Sequence, residues 1–281
     1  MIKKILVTLD SSPFTETAIR HTIEIGRSHN AEVTGIAVVH MKKLANVGPV
    51  PIGAGHSAIN LRQFRFKETT THIDDIMRKF ESALSGSGLM YRPIREKGDP
   101  LRVMVSYATH QDLIITGARS IFNYGVVEER QDLLCRMLNA GIGPFFAVGA
   151  EFNPIRRVLV AYDGSMNSHR ALNKFIQLKI WPSVSIRIIH FGGEDEKSKK
   201  LLLDATEECS AQGFNTESLS ILGPAKKQLV KHAEEWSADL IVIGNRPRGL
   251  LSRQVFGDTT TYAIEHFEKP LFLLSGGSED C

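Results

Sequence analysis

The chain is written twice, and this constrains its fold more than any other feature. KKILVTLDSSPFTETAIRHTI near the start is matched from residue 156 by RRVLVAYDGSMNSHRALNKFI. Each copy is a basic pair, an apolar strand closing on an aspartate (Asp10 or Asp163), a small polar turn and an amphipathic helix. In the second copy Ala171, Leu172, Phe175 and Ile176 form one apolar stripe at the helical period. In the first, Ser12 before Pro13 reads as an N-cap with proline at the first helical position.

The match continues downstream. GDPLRVMVSYATHQDLIITGAR (98–119) parallels GPAKKQLVKHAEEWSADLIVIGNR (223–246), an amphipathic helix and then an apolar strand ending on Gly117 or Gly244. GPFFAVG (143–149) parallels KPLFLLSG (269–276), a closing strand introduced by proline. EVTGIAVVH and VSIRIIHF supply a second strand, and LMYRPI and TESLSI a third. Ile73, Ile76, Met77, Phe80 and Leu84 mark a clear helix between them in the first copy. Each copy reads β-α-β-α-β-α-β-α-β, an alternation that predicts a parallel sheet with helices on both faces. The boundary is expected near EFNPI, giving domains 1–150 and 151–281. The first copy is longer by about 26 residues, which map to MKKLANVGPVPIGAGHSAINLRQF. That stretch, with the residues up to 66, reads as a Gly/Pro-rich loop, a lid or a tolerated insertion.

Composition removes other classes. A hydrophobic fraction of 42% with 23% charged residues is ordinary for a globular chain. A net charge of +3 is too small to argue for nucleic acid. Cys135, Cys209 and Cys281 form no C-x2-C pair, so neither a disulfide framework nor a zinc site is indicated. The N-terminus enters a strand directly, without a signal-peptide pattern, and no apolar run is long enough to span a bilayer. A cytoplasmic protein is expected. The histidines show no metal spacing. His40 and His190, at matching strand ends, read as packed against the sheet or lining the pocket, and Trp181 and Trp236 read as core. The terminal SGGSED is expected to be a flexible tail, because no helix comes after it. No nucleophile–base pairing is visible, so no catalytic residue is assigned.

In open parallel sheets ligands bind beyond the carboxyl ends of the strands, where strand order reverses. Asp163 and Gly244 point there if their strands are neighbours; Asp163 either contacts a ligand or caps the following helix. The strand-end aspartate, the G-x-R that closes strand four, the basic loop with a second glycine opening a helix, and the Pro-led last strand resemble the universal stress protein family. The resemblance covers both halves, as a tandem member. It implies a five-stranded doubly wound sheet of order 3-2-1-4-5 in each half, of the adenine nucleotide alpha hydrolase-like type. It also implies stress-response regulation, pairing of like halves through their last strands as an intrachain pseudo-dimer, and slow ATP hydrolysis at most. A homodimer and a protein partner are compatible with it.

Nucleotide-binding members carry G-x2-G-x9-G-[S/T] after strand four. In the second half this falls on Gly244, Pro247, Gly257 and Asp258. The spacing survives but two identities do not: proline removes an N–H, and Asp258 puts a carboxylate at the helix start, where a phosphate oxygen would otherwise sit. By resemblance the candidate nucleotide-binding residues are Asp163, Gly244, Asn245, Arg246, Arg248, Gly257, Asp258 and Thr259, for ATP or AMP with or without magnesium. In the first half the corresponding glycine positions hold Ser120 and Arg130, with Glu128 and Glu129 just before the helix start. That loop reads as degenerate. A nucleotide-free interaction module is the alternative.

Overall fold

A computed structural model describes residues 1–51, 53–126, 133–193, 195–245 and 258–276. It divides into two compact units, Ile2–Leu134 and Cys135–Cys281, the latter with Met1.

The first unit contains β1 (Lys4–Thr8), α1 (Phe14–His29), β2 (Glu32–Val39), α2 (Met41–Ala45), α3 (Gly55–Ser85), β3 (Tyr91–Lys97), α4 (Pro100–Ala108) and β4 (Leu113–Gly117). Its strands lie in the order β3-β2-β1-β4, all parallel. The core strands are apolar on both faces because helices cover both; Ile5, Leu6, Val7, Ile36 and Ile115 are fully buried. Phe80 of α3 packs edge-on against Tyr91 of β3. Gly35 in β2 leaves room for that ring: a Cβ there would stand 2.6 Å from Phe80.

The second unit holds most of α5 (Leu133–Asn139), then β5 (Phe145–Val148), β6 (Arg157–Ala161), α6 (Met166–Leu178), β7 (Ser185–Phe191), α7 (Glu196–Ala211), β8 (Asn215–Ile221), α8 (Ala225–Glu235), β9 (Leu240–Asn245), α9 (Asp258–His266) and β10 (Leu271–Ser275). Strands β8-β7-β6-β9-β10 are parallel neighbours, the 3-2-1-4-5 order. On the far side of β10 lies β5, antiparallel, with Phe272 opposite Phe146. The last strands of the two sequence copies therefore meet edge to edge. This pairing explains why the compact division falls at 134/135, upstream of the repeat boundary: β5 shares its hydrogen bonds with β10. Phe146 also packs on Trp181 at 5.2 Å, and Phe272 on Phe175 at 5.4 Å.

Three local expectations are corrected. Residues 41–66 are not a loop throughout: α2 forms at once, and α3 begins at Gly55 and runs for 31 residues. After Gly55 neither glycine nor proline interrupts good helix formers, and Arg65 Nη1 ties the helix to the Asn46 carbonyl at 2.8 Å. Ser12 does not cap α1, whose N-cap position is Pro13 without a side-chain hydrogen bond; its hydroxyl and N–H both go to Asp10. Trp236 is not core. It ends α8, half-buried, with the Arg187 guanidinium 4.4 Å from its ring. His40 and His190 are half-buried at the ends of β2 and β7, and His190 Nδ1 meets the Tyr162 carbonyl at 3.0 Å. Among the described residues no helix is long and apolar enough to cross a membrane. The SGGSED tail lies outside the described residues from 277 onward.

Candidate functional site

Strand order reverses between β1 and β4 in the first unit and between β6 and β9 in the second. The two crevices are built from matched residues.

In the first unit Asp10 is 3% exposed. Its Oδ1 accepts from the Ser12 N–H (2.9 Å), the Ser12 hydroxyl (2.5 Å) and the Thr15 hydroxyl (2.9 Å). Its Oδ2 accepts from the Ser120 hydroxyl (3.1 Å) and the Asn123 N–H (3.2 Å). The last two donors come from the segment after β4, which folds over the carboxyl ends of the strands; Ser11 N–H reaches the Asn123 carbonyl as well. Tyr124 then places its hydroxyl between β1 and β2, donating to the Leu9 carbonyl (3.1 Å) and accepting from the Val38 N–H (3.0 Å). Phe122 and Ile121 are buried beside it. Phe122 takes a left-handed backbone (φ 59°), a conformation a bulky residue keeps only when its surroundings hold it. A cavity of about 10 Å³ remains beside His40, Thr69 and Tyr124, room for roughly one water. Ser120, read as a lost glycine, thus serves to close the crevice. Sequence reasoning missed Phe122 and Tyr124, although two aromatics just past a strand end are a signal of a segment that folds back.

In the second unit the register pairs Ala161 with Ile243, so Asp163 and Asn245 stand two residues further along neighbouring strands. Asp163 is exposed and its Oδ1 accepts from the Ser165 N–H at 2.9 Å. It does not cap α6. That role belongs to Ser165, whose hydroxyl accepts from the Ser168 N–H. The surrounding protein pushes the Asp163 carboxyl up, but hydrogen bonds from Ser165 and Ser168 outweigh this and hold it below the ordinary carboxylate range. It is an anion at neutral pH with acceptor capacity to spare.

Asn245 is 0% exposed, and among the described residues neither its amide nitrogen nor its amide oxygen has a hydrogen-bond partner. Buried polar groups are nearly always paired, which sets this amide apart among the crevice residues described. Gly244 has a structural reason as well: a Cβ would stand 2.2 Å from the Asn167 carbonyl oxygen, so only glycine lets the first turn of α6 approach β9. Gly117 carries out the same service for Phe14 and Ser120. Thr259 is half-buried in the first turn of α9, which starts at residue 258. Arg246, Pro247, Arg248 and Gly257 lie outside the described residues, as does the Asp258 side chain, together with Glu128, Glu129 and Arg130 of the first half.

Residues 191–275 match the family model described as universal stress protein family. Over 286 residues the chain is 21% identical to universal stress protein Slr1230 of Synechocystis, covering 96% of this chain and 99% of that one. The chain is thus similar to a universal stress protein along nearly its whole length. Its fold also matches the crystal structure of a universal stress protein from Archaeoglobus fulgidus, with a TM-score of 0.65, 20% identity and 98% of each chain covered. A functionally unknown protein from Pseudomonas aeruginosa PAO1 matches with a TM-score of 0.61 at 15% identity, covering 98% of this chain and 92% of that one.

Among the described residues the two thiols are shielded from solvent. Cys135 and Cys209 are buried and unbridged, and burial, aided by Glu208, pushes the Cys209 thiol up to about 12. Thiolate is the reactive form. In a Cys281→Ser background, iodoacetamide at mildly alkaline pH is therefore expected to leave Cys209 unmodified in the folded protein and to label it fully in urea, as read by peptide mass spectrometry. Labelling at equal rates in both states would contradict the burial.

Proposed function

We propose that this protein is a cytoplasmic stress-response regulator that senses an adenine nucleotide, ATP or AMP, through its second repeat. The repeats are placed at 1–150 and 151–281, the first acting as a structural partner whose crevice is filled by its own chain. The observation that supports this reading is Asn245: a buried amide without a partner among the described residues, beside an exposed aspartate at a strand-order reversal. Asp163 suits the ribose hydroxyls, which donate to carboxylates. Asn245 offers both a donor and an acceptor. Arg246, Arg248, Gly257 and Thr259 are the phosphate-side residues, with or without magnesium. Asp258 disfavours a triphosphate against a monophosphate there, because two anions repel.

Native mass spectrometry of freshly purified protein, with and without AMP and ATP, tests the reading. One nucleotide per chain is expected, weakened about tenfold in Asp163→Ala, the value of a charge-assisted hydrogen bond. Asp258→Ser is expected to strengthen ATP binding. No retained nucleotide and no thermal shift at millimolar ATP would leave the second reading, a nucleotide-free interaction module. Release of ADP on incubation with ATP would instead make it a slow ATPase.

A further inference from the structure

The first copy carries an insertion that the second lacks, and its surface has a character of its own. Residues 41–67 hold Lys42, Lys43, Arg62, Arg65 and Lys67 and not one acid, whereas the matching stretch of the second copy carries Glu194, Asp195 and Glu196. Beside the insertion opens a cleft of about 460 Å³ at the carboxyl end of β3, lined by Lys42, Lys97, Gly98, Asp99, Arg102 and Ser106. The one acid there caps α4, accepting from the Arg102 N–H at 3.2 Å. Among the described residues Lys42, Lys97 and Arg102 form no ion pair. The ammonium of Lys97 lies 5.3 Å from the ring centre of Phe66 on α3, which joins the cleft to the inserted helix.

The same segment is apolar where a free surface should be polar. Of the twelve exposed large hydrophobic residues among those described, five are Met41, Val50, Ile59, Leu61 and Phe64. Ile59 is 50% exposed and Phe64 59%. At roughly 100° per residue, Leu61 and Phe64 are turned by about 200° and 140° from Ile59. A protein groove takes one face of a helix, with anchors three, four and seven residues apart. Side chains exposed on several faces of the first turns of a helix fit a medium that surrounds them. From Ile59 to Phe64 the helix rises about 7.5 Å, comparable with the roughly 5–10 Å boundary between lipid headgroups and acyl chains.

We propose that the insertion is a peripheral membrane contact for anionic phospholipid. The N-terminal part of α3 enters the interface with Ile59, Leu61 and Phe64, while Lys42, Arg62, Lys97 and Arg102 meet the headgroup phosphates. The charge of the insertion selects anionic over neutral lipid, because cations near a negative surface gain energy that salt screens. The contact is independent of the nucleotide reading and uses none of its residues.

Co-sedimentation of the full chain with vesicles tests it. With equal parts phosphatidylcholine and phosphatidylglycerol the protein is expected to pellet, with phosphatidylcholine alone to stay in solution, and added salt is expected to release it. The Leu61→Ser/Phe64→Ser and Lys97→Gln/Arg102→Gln variants are each expected to lower the bound fraction at least about fivefold. Their melting temperatures should match the parent, since all four side chains are exposed. Absence of pelleting with anionic vesicles, equal pelleting with neutral ones, or unchanged binding in both variants overturns the proposal. Retention on polyglutamate beads without vesicle binding also overturns it, in favour of an acidic protein partner.

Discussion

Asp10→Ala is expected to lower the stability of the protein by about 4 kcal/mol, because it removes a buried carboxylate on which five donors converge. Two backbone N–H groups, from Ser12 and Asn123, and three hydroxyls, from Ser12, Thr15 and Ser120, converge on it. A buried donor left unpaired, as the Thr15 hydroxyl would be, costs roughly 1–3 kcal/mol, and the part-buried donors of Ser12, Ser120 and Asn123 add smaller losses. The segment after β4 should also loosen, seen as faster amide exchange around Asn123 and Tyr124. The matched change in the other repeat, Asp163→Ala, is expected to cost less than about 1 kcal/mol, because an exposed carboxylate loses little when removed. Urea denaturation of both variants measures the contrast. Equal losses would mean that the two crevices are built alike.

The second large effect concerns Gly244. Alanine there puts its Cβ 2.2 Å from the Asn167 carbonyl oxygen and 2.6 Å from the Ser168 nitrogen. Both are backbone atoms of the first helical turn, so no rotamer change relieves the clash. The helix must shift or β9 must bend, which costs about 3 kcal/mol, the upper part of the usual range for overpacking. A melting temperature within about 1 °C of the parent would show that α6 is free to move away. This outcome separates two reasons for one glycine. The family pattern reads Gly244 as the first glycine of a phosphate loop, but its surroundings already require glycine for helix–strand packing. A glycine at this position is thus weak evidence of a ligand when taken alone.

Much of the fold was legible because it is carried by local periodicity and written twice. The strands DLIIT and DLIVI, the Pro-led strands 145–148 and 271–275, and the paired Asp10 and Asp163 all come from short-range pattern, and the parallel order comes from alternation. The features that stayed hidden depend on long-range contact. Ser120 reaches Asp10 across 110 residues, so no window of sequence distinguishes a lost phosphate glycine from a hydroxyl that seals a crevice. Ser12 reads as a cap, yet Asp10 competes for its hydroxyl and wins. The insertion misled through composition: its glycines and prolines end at Gly55, and the residues after Gly55 extend a helix already evident at Ile73. The candidate site was only half legible. Position singled out Asp163 and Gly244 and the resemblance added Asn245, whereas the burial of the Asn245 amide without a partner among the described residues emerges only when β9 lies between β6 and β10.

The central claim, a nucleotide site kept in one repeat and closed in the other, is tested most directly by titration calorimetry of AMP into the parent protein and into Asn245→Leu. The parent is expected to bind one AMP per chain. The variant is expected to bind at least about tenfold more weakly while melting at an equal or higher temperature, because a near-isosteric apolar side chain replaces an unpartnered buried amide. Binding of two AMP per chain, of none, or of one with unchanged affinity in Asn245→Leu would contradict the account.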